Sequence, residues 1–427
     1  MGEIVRPRTM PARQAPSRTG LVAALDVGSG KVACVIGRAD GAGLRVLGSA
    51  LHESQGLRSG AITSLELAED SIRETVAAAE QLADQRIQDV ILSVTCGLPK
   101  SITVRAESAL GGTLVSDEHL RALLGEGRAR CREEGRETIQ AMPTGYVVDQ
   151  ARGIRDPRGM FGDRIGVTMH GVTVHPGPLR NLHLAIERCH LCVAGRMFAA
   201  HASGLATLTH DETSLGVTLI DMGAGVTSVA VFMEGELVHV DAVPLGGAHV
   251  TSDIARMLSA PLGAAERIKT LYGSAFGDLE AGGDLIEVPL MGEEGDDAAQ
   301  RVQRSMLTRI IQSRMEEIFI EVRDRLRATG FDVAAGRRAV LTGGACQLSG
   351  ARELAWNVLN KQVRIGRPQP LPGLPASSAS PAYSAALGLL IAGASQLVET
   401  LDPGADGEDR QRERRGLARW LGGSLFG

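Results

Sequence analysis

The segments Asp26-Val27-Gly28-Ser29-Gly30-Lys31 and Asp221-Met222-Gly223-Ala224-Gly225-Val226 are two versions of one pattern. In each, an apolar run ends in an aspartate and a glycine-containing turn, and a second apolar run follows, which predicts two strands joined by a tight turn. A third predicted strand follows each pair, at residues 44–51 and 236–244. Two matching three-strand units predict an internally duplicated, two-lobed protein.

Glycine turns of this kind are suited to phosphate groups. Without a Cβ atom, backbone N–H groups can approach phosphate oxygens closely, and successive N–H groups in a tight turn form an anion-binding concavity. Mg²⁺ on phosphates usually keeps several waters and takes one or two carboxylates. Asp26 and Asp221, one in each turn, are therefore candidate magnesium ligands, acting directly or through the ion's waters.

Two better-known glycine motifs do not fit these segments. The P-loop pattern G-x-x-x-x-G-K-[ST] fails because Leu25 stands at its first glycine and Val32 at its last position. The dinucleotide-binding pattern G-x-G-x-x-G fails because Ala33 and Ser228 stand at its third glycine, and β-rich sequence follows each turn. One copy alone would indicate an ordinary hairpin turn, whereas two copies in matching units favour a phosphate clamp.

A third glycine turn supports the clamp. Residues 338–342 predict a strand, Gly343-Gly344 a turn, and residues 348–359 a helix. A turn without side chains at this point lets the backbone pass close to a flat base, although a packing turn would have the same sequence.

Together these segments resemble the actin-like ATPase superfamily and, within it, the FtsA family of bacterial cell division proteins. The resemblance covers residues 20–395 together with the tail. The specific matches to FtsA lie at residues 250–255, 265–269, 341–345, 363–366 and 415–426. It implies an α/β protein with the actin-like two-lobed ATPase fold, built from duplicated ribonuclease H-like domains and carrying the FtsA-type 1C insertion. It also implies binding of ATP and Mg²⁺.

The resemblance further predicts how the chain is divided. Subdomain 1C stands where actin has subdomain 1B, which favours FtsA over actin, MreB or a sugar kinase. The predicted boundaries are 1–19 for a disordered basic arm, 20–97 and 169–213 for subdomain 1A, 98–168 for subdomain 1C, 214–246 and 331–383 for subdomain 2A, 247–330 for subdomain 2B, 384–396 for a closing helix of 1A, 397–411 for a flexible linker and 412–427 for an amphipathic helix.

The nucleotide-binding residues implied by the resemblance lie in the two phosphate turns, in the helices after the second unit and in the adenosine turn. They are Asp26, Gly28, Ser29, Gly30, Lys31, Asp221, Gly223, Ala224, Gly225, Val226, Thr227, Gly246, Gly247, Glu266, Lys269, Gly343, Gly344 and Ala345. Glu266 and Lys269, one helical turn apart, could face the ribose together or form a surface ion pair. Residues 201–207, which join the lobes, offer no obvious water-activating carboxylate or glutamine, so no catalytic residue is assigned and hydrolysis is expected to be slow or absent.

Composition excludes some functions. With 3% aromatic residues and a net charge of −5, the chain lacks the stacking platforms and basic surface that nucleic-acid binding requires.

Residues 1–20 contain no apolar core of a secretory signal, and the late apolar run 385–394 is too short to cross a bilayer. Six scattered cysteines indicate reduced thiols in the cytoplasm. Cys189-His190-Leu191-Cys192 has metal-ligand spacing, but no second cysteine pair follows it. The segment is therefore interpreted as part of an apolar helix.

The end of the chain predicts a membrane anchor. On a helical wheel Leu417, Trp420, Leu421 and Leu425 share one side, Arg412, Arg415 and Arg419 lie on the opposite side, and Phe426 follows. This pattern is typical of an interfacial helix on anionic lipid, although a peptide that docks on protein is the alternative. Such a short helix forms only on a surface, because it is marginal in water.

The resemblance also implies partners and a location. These are the C-terminal peptide of FtsZ, other copies of the chain in a filament, and late divisome membrane proteins, at the cytoplasmic face of the inner membrane at the septum. The FtsZ peptide is expected at Arg314, Glu316 and Glu317, where solvated surface charges are the alternative explanation. A pilus-assembly scaffold of related fold and a small-molecule kinase remain alternatives for the whole chain.

Overall fold

A computed structural model describes residues 20–277, 284–292 and 299–395. The first lobe and the segment inserted into it contain the following elements: β1 (Gly20–Val27), β2 (Lys31–Asp40), β3 (Gly43–Glu53), β4 (Leu57–Arg58), β5 (Ala61–Ile62), α1 (Leu65–Ala83), β6 (Asp89–Val94), β7 (Lys100–Leu114), α2 (Asp117–Arg130), β8 (Glu137–Val148), β9 (Ala151–Ile154), β10 (Phe161–Val174), α3 (Pro176–Arg188), β11 (Cys192–Phe198), α4 (Ala199–Thr207) and α5 (His210–Leu215).

The second lobe follows, and the last helix returns to the first. These elements are β12 (Val217–Met222), β13 (Thr227–Met233), β14 (Glu236–Val243), α6 (Gly247–Met257), α7 (Leu262–Tyr272), β15 (Leu285–Pro289), β16 (Ala299–Gln303), α8 (Arg304–Ala328), α9 (Phe331–Ala334), β17 (Arg338–Thr342), α10 (Ala351–Leu359), β18 (Gln362–Ile365) and α11 (Ser384–Ala394).

Each lobe is built on a five-stranded sheet, and the two sheets repeat one topology. The orders are β3-β2-β1-β6-β11 and β14-β13-β12-β17-β18, with an antiparallel meander followed by two parallel strands in both. The register repeats as well, because Asp26 pairs with Ala33 and Asp221 pairs with Ser228. The duplication predicted from the two glycine segments is therefore present in the fold.

The inserted segment forms its own four-stranded sheet in the order β7-β10-β8-β9, with α2 packed against β7 and β10. It has a separate core that includes Leu123, Ile165 and Met169. It also touches both lobes. The backbone N–H of Phe198, at the end of β11 in the first lobe, donates to Gln140 Oε1 on β8 at 2.5 Å, and the backbone N–H of Val240 on β14 in the second lobe donates to Ser101 Oγ at 3.2 Å.

The structure corrects one predicted helix. The apolar pattern predicts helix through Cys189-His190-Leu191-Cys192, but α3 ends at Arg188 and Cys192 begins β11. His190 has a φ of 61°, in the left-handed region, which does not continue a helix. Cys192 then pairs with Asp89 of the parallel strand β6, so a contact distant in sequence determines the strand.

Among the residues that the structure describes, no helix has the length and apolar character needed to cross a membrane. The predicted basic arm at 1–19 and the predicted linker and amphipathic helix at 397–427 lie outside the described residues.

Candidate functional site

The two glycine turns have the same internal hydrogen bond. The N–H of Gly28 donates to the carbonyl of Lys31 at 2.9 Å, and the N–H of Gly223 donates to the carbonyl of Val226 at 2.9 Å. Each turn follows the innermost strand of its sheet, so the two turns lie at corresponding edges of the two lobes.

Glycine is required here because the turns touch each other. A Cβ atom on Gly30 would lie 2.5 Å from the Cβ of Ala224, and one on Gly225 would lie 2.7 Å from Ser29 Oγ. Real Cβ contacts are not this short, so a side chain at either position would push the lobes apart. The glycines thus keep the two turns in contact as well as free of side chains.

A cavity of about 940 Å³ opens between the lobes beside these turns, which is within the range of ligand sites. Most of the predicted nucleotide-binding residues line it, but Thr227 and Gly246 do not. Thr227 is buried and donates to the carbonyl of Leu245 at 2.8 Å. The predicted residues in the lining are Asp26, Gly28, Ser29, Gly30, Lys31, Asp221, Gly223, Ala224, Gly225, Val226, Gly247, Glu266, Lys269, Gly343, Gly344 and Ala345.

The two aspartates have different surroundings despite their matching register. Asp26 accepts hydrogen bonds from Lys31 Nζ at 3.0 Å and Ser93 Oγ at 2.6 Å. Asp221 accepts one from Ser203 Oγ at 2.5 Å. Burial, together with the smaller effect of the negative charge of Asp26, raises the pKa of Asp221 to about 6, against the lowering effects of the Ser203 hydrogen bond and the Lys31 charge. A carboxyl with this pKa is largely ionised at neutral pH.

The donor set around the cavity fits Mg²⁺ held mainly by phosphate and water. Among the described residues, no group of three or more histidine, cysteine, aspartate or glutamate side chains could hold a metal by itself. Two of the carboxylates that line the cavity, Asp26 and Asp221, belong to the two glycine turns. One or two carboxylates are what Mg²⁺ on a polyphosphate usually takes from a protein, with phosphate oxygens and waters completing the shell.

The first residues of helix α6 support the second glycine turn through backbone hydrogen bonds. The N–H groups of Gly247 and Ala248 donate to the carbonyls of Gly223 and Ala224 at 3.0 and 2.8 Å. A Cβ atom on Gly246 would lie 2.4 Å from the Gly223 carbonyl oxygen. Gly246 and Gly247 therefore support the turn through their backbones, and Gly247 also lines the cavity.

Glu266 and Lys269 form an ion pair at the cavity wall, with Lys269 Nζ 2.6 Å from Glu266 Oε2. Lys269 also donates to Thr251 Oγ1 at 2.9 Å and to the Gly247 carbonyl at 3.2 Å. The pair is therefore part of a polar network at the cavity wall.

The third glycine turn closes the cavity beside Asp221. Gly343 has a φ of +83°, and a Cβ atom there would lie 2.4 Å from Asp221 Oδ1. Gly344 has open space where a Cβ would project, so this part of the turn leaves room on the cavity side. The arrangement thus combines two turns in contact, the two aspartates of those turns, the lysines Lys31 and Lys269, and an open glycine backbone.

Comparisons with known proteins agree with this geometry. The family model described as "Cell division protein FtsA" matches residues 218–388, and the one described as "SHS2 domain inserted in FTSA" matches residues 97–173. A cell division protein FtsA from Agrobacterium fabrum is 42% identical, covering 88% of this chain and 87% of that protein. The chain belongs to the FtsA family. The FtsA of Escherichia coli K12 is 33% identical over 87% of this chain and 89% of its own length.

Solved structures at lower identity show the fold alone. The PilM-PilN type IV pilus biogenesis complex superposes with a TM-score of 0.61 at 16% identity, over 87% of this chain and 98% of that chain. MreB5 of Spiroplasma citri bound to AMPPNP gives 0.51 at 13% identity, over 93% and 99%. The predicted actin-like two-lobed fold with an FtsA-type insertion is confirmed.

The predicted partner surface of this FtsA-family protein lies on α8. Asp253 on α6 holds the Arg314 guanidinium through two hydrogen bonds, at 2.6 Å to Nε and 3.2 Å to Nη2, and Glu317 accepts from Nη1 at 2.6 Å. Glu316 and Glu317 are exposed, whereas Arg314 is only partly so. Arg314 is therefore engaged within the chain, and a peptide carboxylate would share it with Asp253.

Sequence reasoning missed three polar residues of the site. Ser93 and Ser203 donate to the two aspartates, and Thr251 bridges Glu266 and Lys269. Ser93 had a detectable signal, because it is the penultimate residue of the apolar run 90–94, which is typical of a buried strand and which the fold places beside β1 as β6. Ser203 and Thr251 lie inside helices, where no local pattern distinguishes them from other small residues.

Proposed function

We propose that this FtsA-family protein binds Mg-ATP between its lobes, polymerises, and tethers the FtsZ ring to the cytoplasmic face of the bacterial inner membrane, where it recruits late divisome proteins. The observation that carries the nucleotide part is the contact of the two glycine turns beside a cavity lined by Asp26 and Asp221. The partner and membrane parts rest on membership of the FtsA family and on the sequence of the tail.

Each part of the cavity has a proposed role. The turns at Gly28–Lys31 and Gly223–Val226 contact the phosphates through backbone N–H groups other than those of Gly28 and Gly223, which close the turns. Lys31 adds a positive charge. Asp26 and Asp221 hold Mg²⁺ through its waters, and the bound ion would neutralise phosphate charge. Glu266 and Lys269 face the ribose, and Gly343 to Ala345 lie against the base.

We propose at most slow ATP hydrolysis, because α4 supplies no evident base. His201, the first polar residue of this helix, is buried, and burial lowers its pKa to about 4. Its Nδ1 lies 3.0 Å from the Gln140 amide nitrogen, away from the Ser203 hydroxyl that contacts Asp221. The function is therefore assembly and linkage more than catalysis.

We propose that the FtsZ peptide binds the exposed face of α8 around Glu316 and Glu317. Arg314 contributes to this binding only if its guanidinium contacts the peptide and Asp253 together. The Asp253→Asn variant distinguishes peptide binding by Arg314 from a purely structural role of the Arg314–Asp253 ion pair. Asp253→Asn keeps a similar side-chain volume but weakens the competing ion pair, so its affinity for the peptide should be equal to that of wild type or higher. Arg314→Glu should lose affinity for the peptide.

Fluorescence anisotropy with a labelled FtsZ C-terminal peptide measures both variants against the full chain. Loss of affinity in both would mean that the Arg314–Asp253 pair only maintains the fold of this region. Unchanged affinity in Arg314→Glu would mean that the peptide binds elsewhere.

The proposed membrane anchor is the tail, which the described residues do not include. Burial of Leu417, Trp420, Leu421, Leu425 and Phe426 in the lipid interface adds apolar stabilisation, and each nearby arginine adds about 1 kcal/mol on anionic lipid. Neither contribution is sufficient alone. A filament presents many such tails at once, so polymerisation and membrane attachment should reinforce each other through avidity.

Vesicle co-sedimentation with FtsZ tests the tethering function. Trp420→Glu should leave the protein and FtsZ in the supernatant with vesicles containing anionic lipid, because the charge opposes interfacial burial. The matched control is Trp356→Glu on α10, which alters the chain's other tryptophan, an exposed residue within the described part of the structure. If Trp420→Glu pellets as well as Trp356→Glu does, the tail is not the anchor and the tethering proposal fails.

A further inference from the structure

Helix α4 lies between the cavity and the inserted domain. Its Ser203 donates to Asp221 Oδ2 at 2.5 Å. Two residues earlier, His201 contacts Gln140 on strand β8 of the insertion. Residues i and i+2 of an α-helix project in nearly opposite directions, so these two contacts hold opposite sides of one helix.

The contact with the insertion has a defined geometry. Gln140 is fully buried, and its Oε1 accepts from the backbone N–H of Phe198, the residue that caps α4, at 2.5 Å. Its amide nitrogen is thus the donor toward His201 Nδ1 at 3.0 Å. His201 is neutral at pH 7 and can accept this hydrogen bond. One insertion side chain therefore holds both the start and the first turn of α4.

Helix α4 has little freedom to deform. Except for Leu205 its residues are buried, and most are alanine, glycine or serine. Its backbone packs directly against α11, since a Cβ atom on Gly388 would lie 1.7 Å from the carbonyl oxygen of Ala202. A helix packed this tightly moves as a unit, because close-packed interiors transmit displacement.

We propose that Gln140 is a positioning residue for the nucleotide site, which acts through His201 and helix α4 to fix the orientation of Asp221. The inference rests on the proposed function, because it assumes that Asp221 serves bound nucleotide. Coupling of this kind is reciprocal: if the insertion orients the site, nucleotide in the site must stabilise the insertion by the same free energy.

The first test is affinity for Mg-ATP. Gln140→Leu keeps the volume but removes both hydrogen bonds, and it should weaken Mg-ATP binding about tenfold. The matched control is Glu137→Gln on the same strand, which breaks the ion pair with Arg196 on β11 without touching α4. It should change affinity less than twofold. In a Ser203→Ala background, Gln140→Leu should have little further effect, because the path to Asp221 is already broken.

The second test starts from the wild type, so its first result does not depend on the folding of a variant. Hydrogen exchange of the full-length wild type, with and without Mg-ATP, should show slower exchange in residues 137–148 of the insertion when nucleotide is bound. The protection should persist in Glu137→Gln and disappear in Gln140→Leu. Wild type that binds Mg-ATP without protecting this strand would overturn the inference alone. Wild type that does not bind Mg-ATP would overturn the proposed function and the inference with it.

Discussion

At the scale of single residues, the duplicated motif supplies two aspartates that are no longer equivalent. Asp26 has a cation and a hydroxyl within hydrogen-bonding distance, whereas Asp221 receives a hydroxyl from Ser203 and faces the negative charge of Asp26. The Asp221 carboxylate is therefore costly to maintain without a bound cation. A cost of this kind is typical of a site built for a ligand rather than for stability.

This difference predicts opposite effects of two matched substitutions. The pKa of Asp221 is about 6 in the folded protein, above its usual 3.8, so ionisation opposes folding as the pH rises from about 4 through 6. Asp221→Asn removes this penalty and can still accept from Ser203. We expect it to be more stable than wild type at pH 7.5, with the advantage shrinking toward pH 5. Asp26→Asn should be less stable, because it breaks the pair with Lys31.

Urea unfolding in buffer free of Mg²⁺ and nucleotide measures these differences. A stability gain of Asp221→Asn that is the same at pH 5 and pH 7.5 would show that ionisation is not its cause. A loss at pH 7.5 would contradict the account of this carboxyl.

Residues of the glycine turns could be predicted from sequence because two copies of a local pattern lie in the same register. The structure adds why glycine is needed at Gly30 and Gly225, which is contact between the lobes. Ser203 could not be predicted in the same way. Its role depends on where a short helix passes the second turn, and this position is set by tertiary packing.

At the scale of elements, helices α4 and α11 approach each other with no room for a side chain between their backbones. Gly388 lets α11 approach the Ala202 carbonyl so closely that any side chain would overlap it. Both helices contact the core around Val22, Ala24 and Leu390. Since α11 also carries Ser384, whose hydroxyl lies 2.6 Å from that of Thr342, this contact connects the last helix to the third glycine turn.

We therefore expect Gly388→Ala to destabilise the protein by about 1–3 kcal/mol, the usual cost of overpacking a dense core. Gly177→Ala in α3 is the control, because a Cβ atom there would meet open space. Urea denaturation followed by circular dichroism compares the two. Equal stability of both variants would show that α4 and α11 can separate without cost.

The boundaries of helices and strands also show the limit of what a local sequence pattern can predict. The apolar pattern of residues 302–327 predicts a long helix over many turns, and the structure has this helix as α8, although Val302 and Gln303 belong to β16. The predicted helix through Cys192 is wrong, because four residues of apolar sequence suit a helix or a strand equally. Pairing with β6 decided between them, and this pairing is not encoded nearby in the sequence.

At the scale of the whole molecule, two duplicated lobes and one inserted domain form a connected unit. The sequence predicts the duplication and the existence of the insertion, since both leave a pattern along the chain. It does not predict that the insertion contacts both lobes, through Gln140 on one side and Ser101 on the other. Contacts between domains depend on the folded surfaces of both domains, and they leave no periodic pattern in the sequence.

The central claim is that contact between the two glycine turns creates a site for Mg-ATP. Gly225→Val would place side-chain atoms against Ser29 and force the turns apart. Gly125→Val on α2 is the matched control, because a Cβ atom there meets open space in the insertion. Isothermal titration calorimetry with Mg-ATP at pH 7.5 should show wild-type affinity in Gly125→Val and a loss of about 100-fold in Gly225→Val, equal to about 2.7 kcal/mol. Wild-type affinity in a folded Gly225→Val protein would contradict the claim.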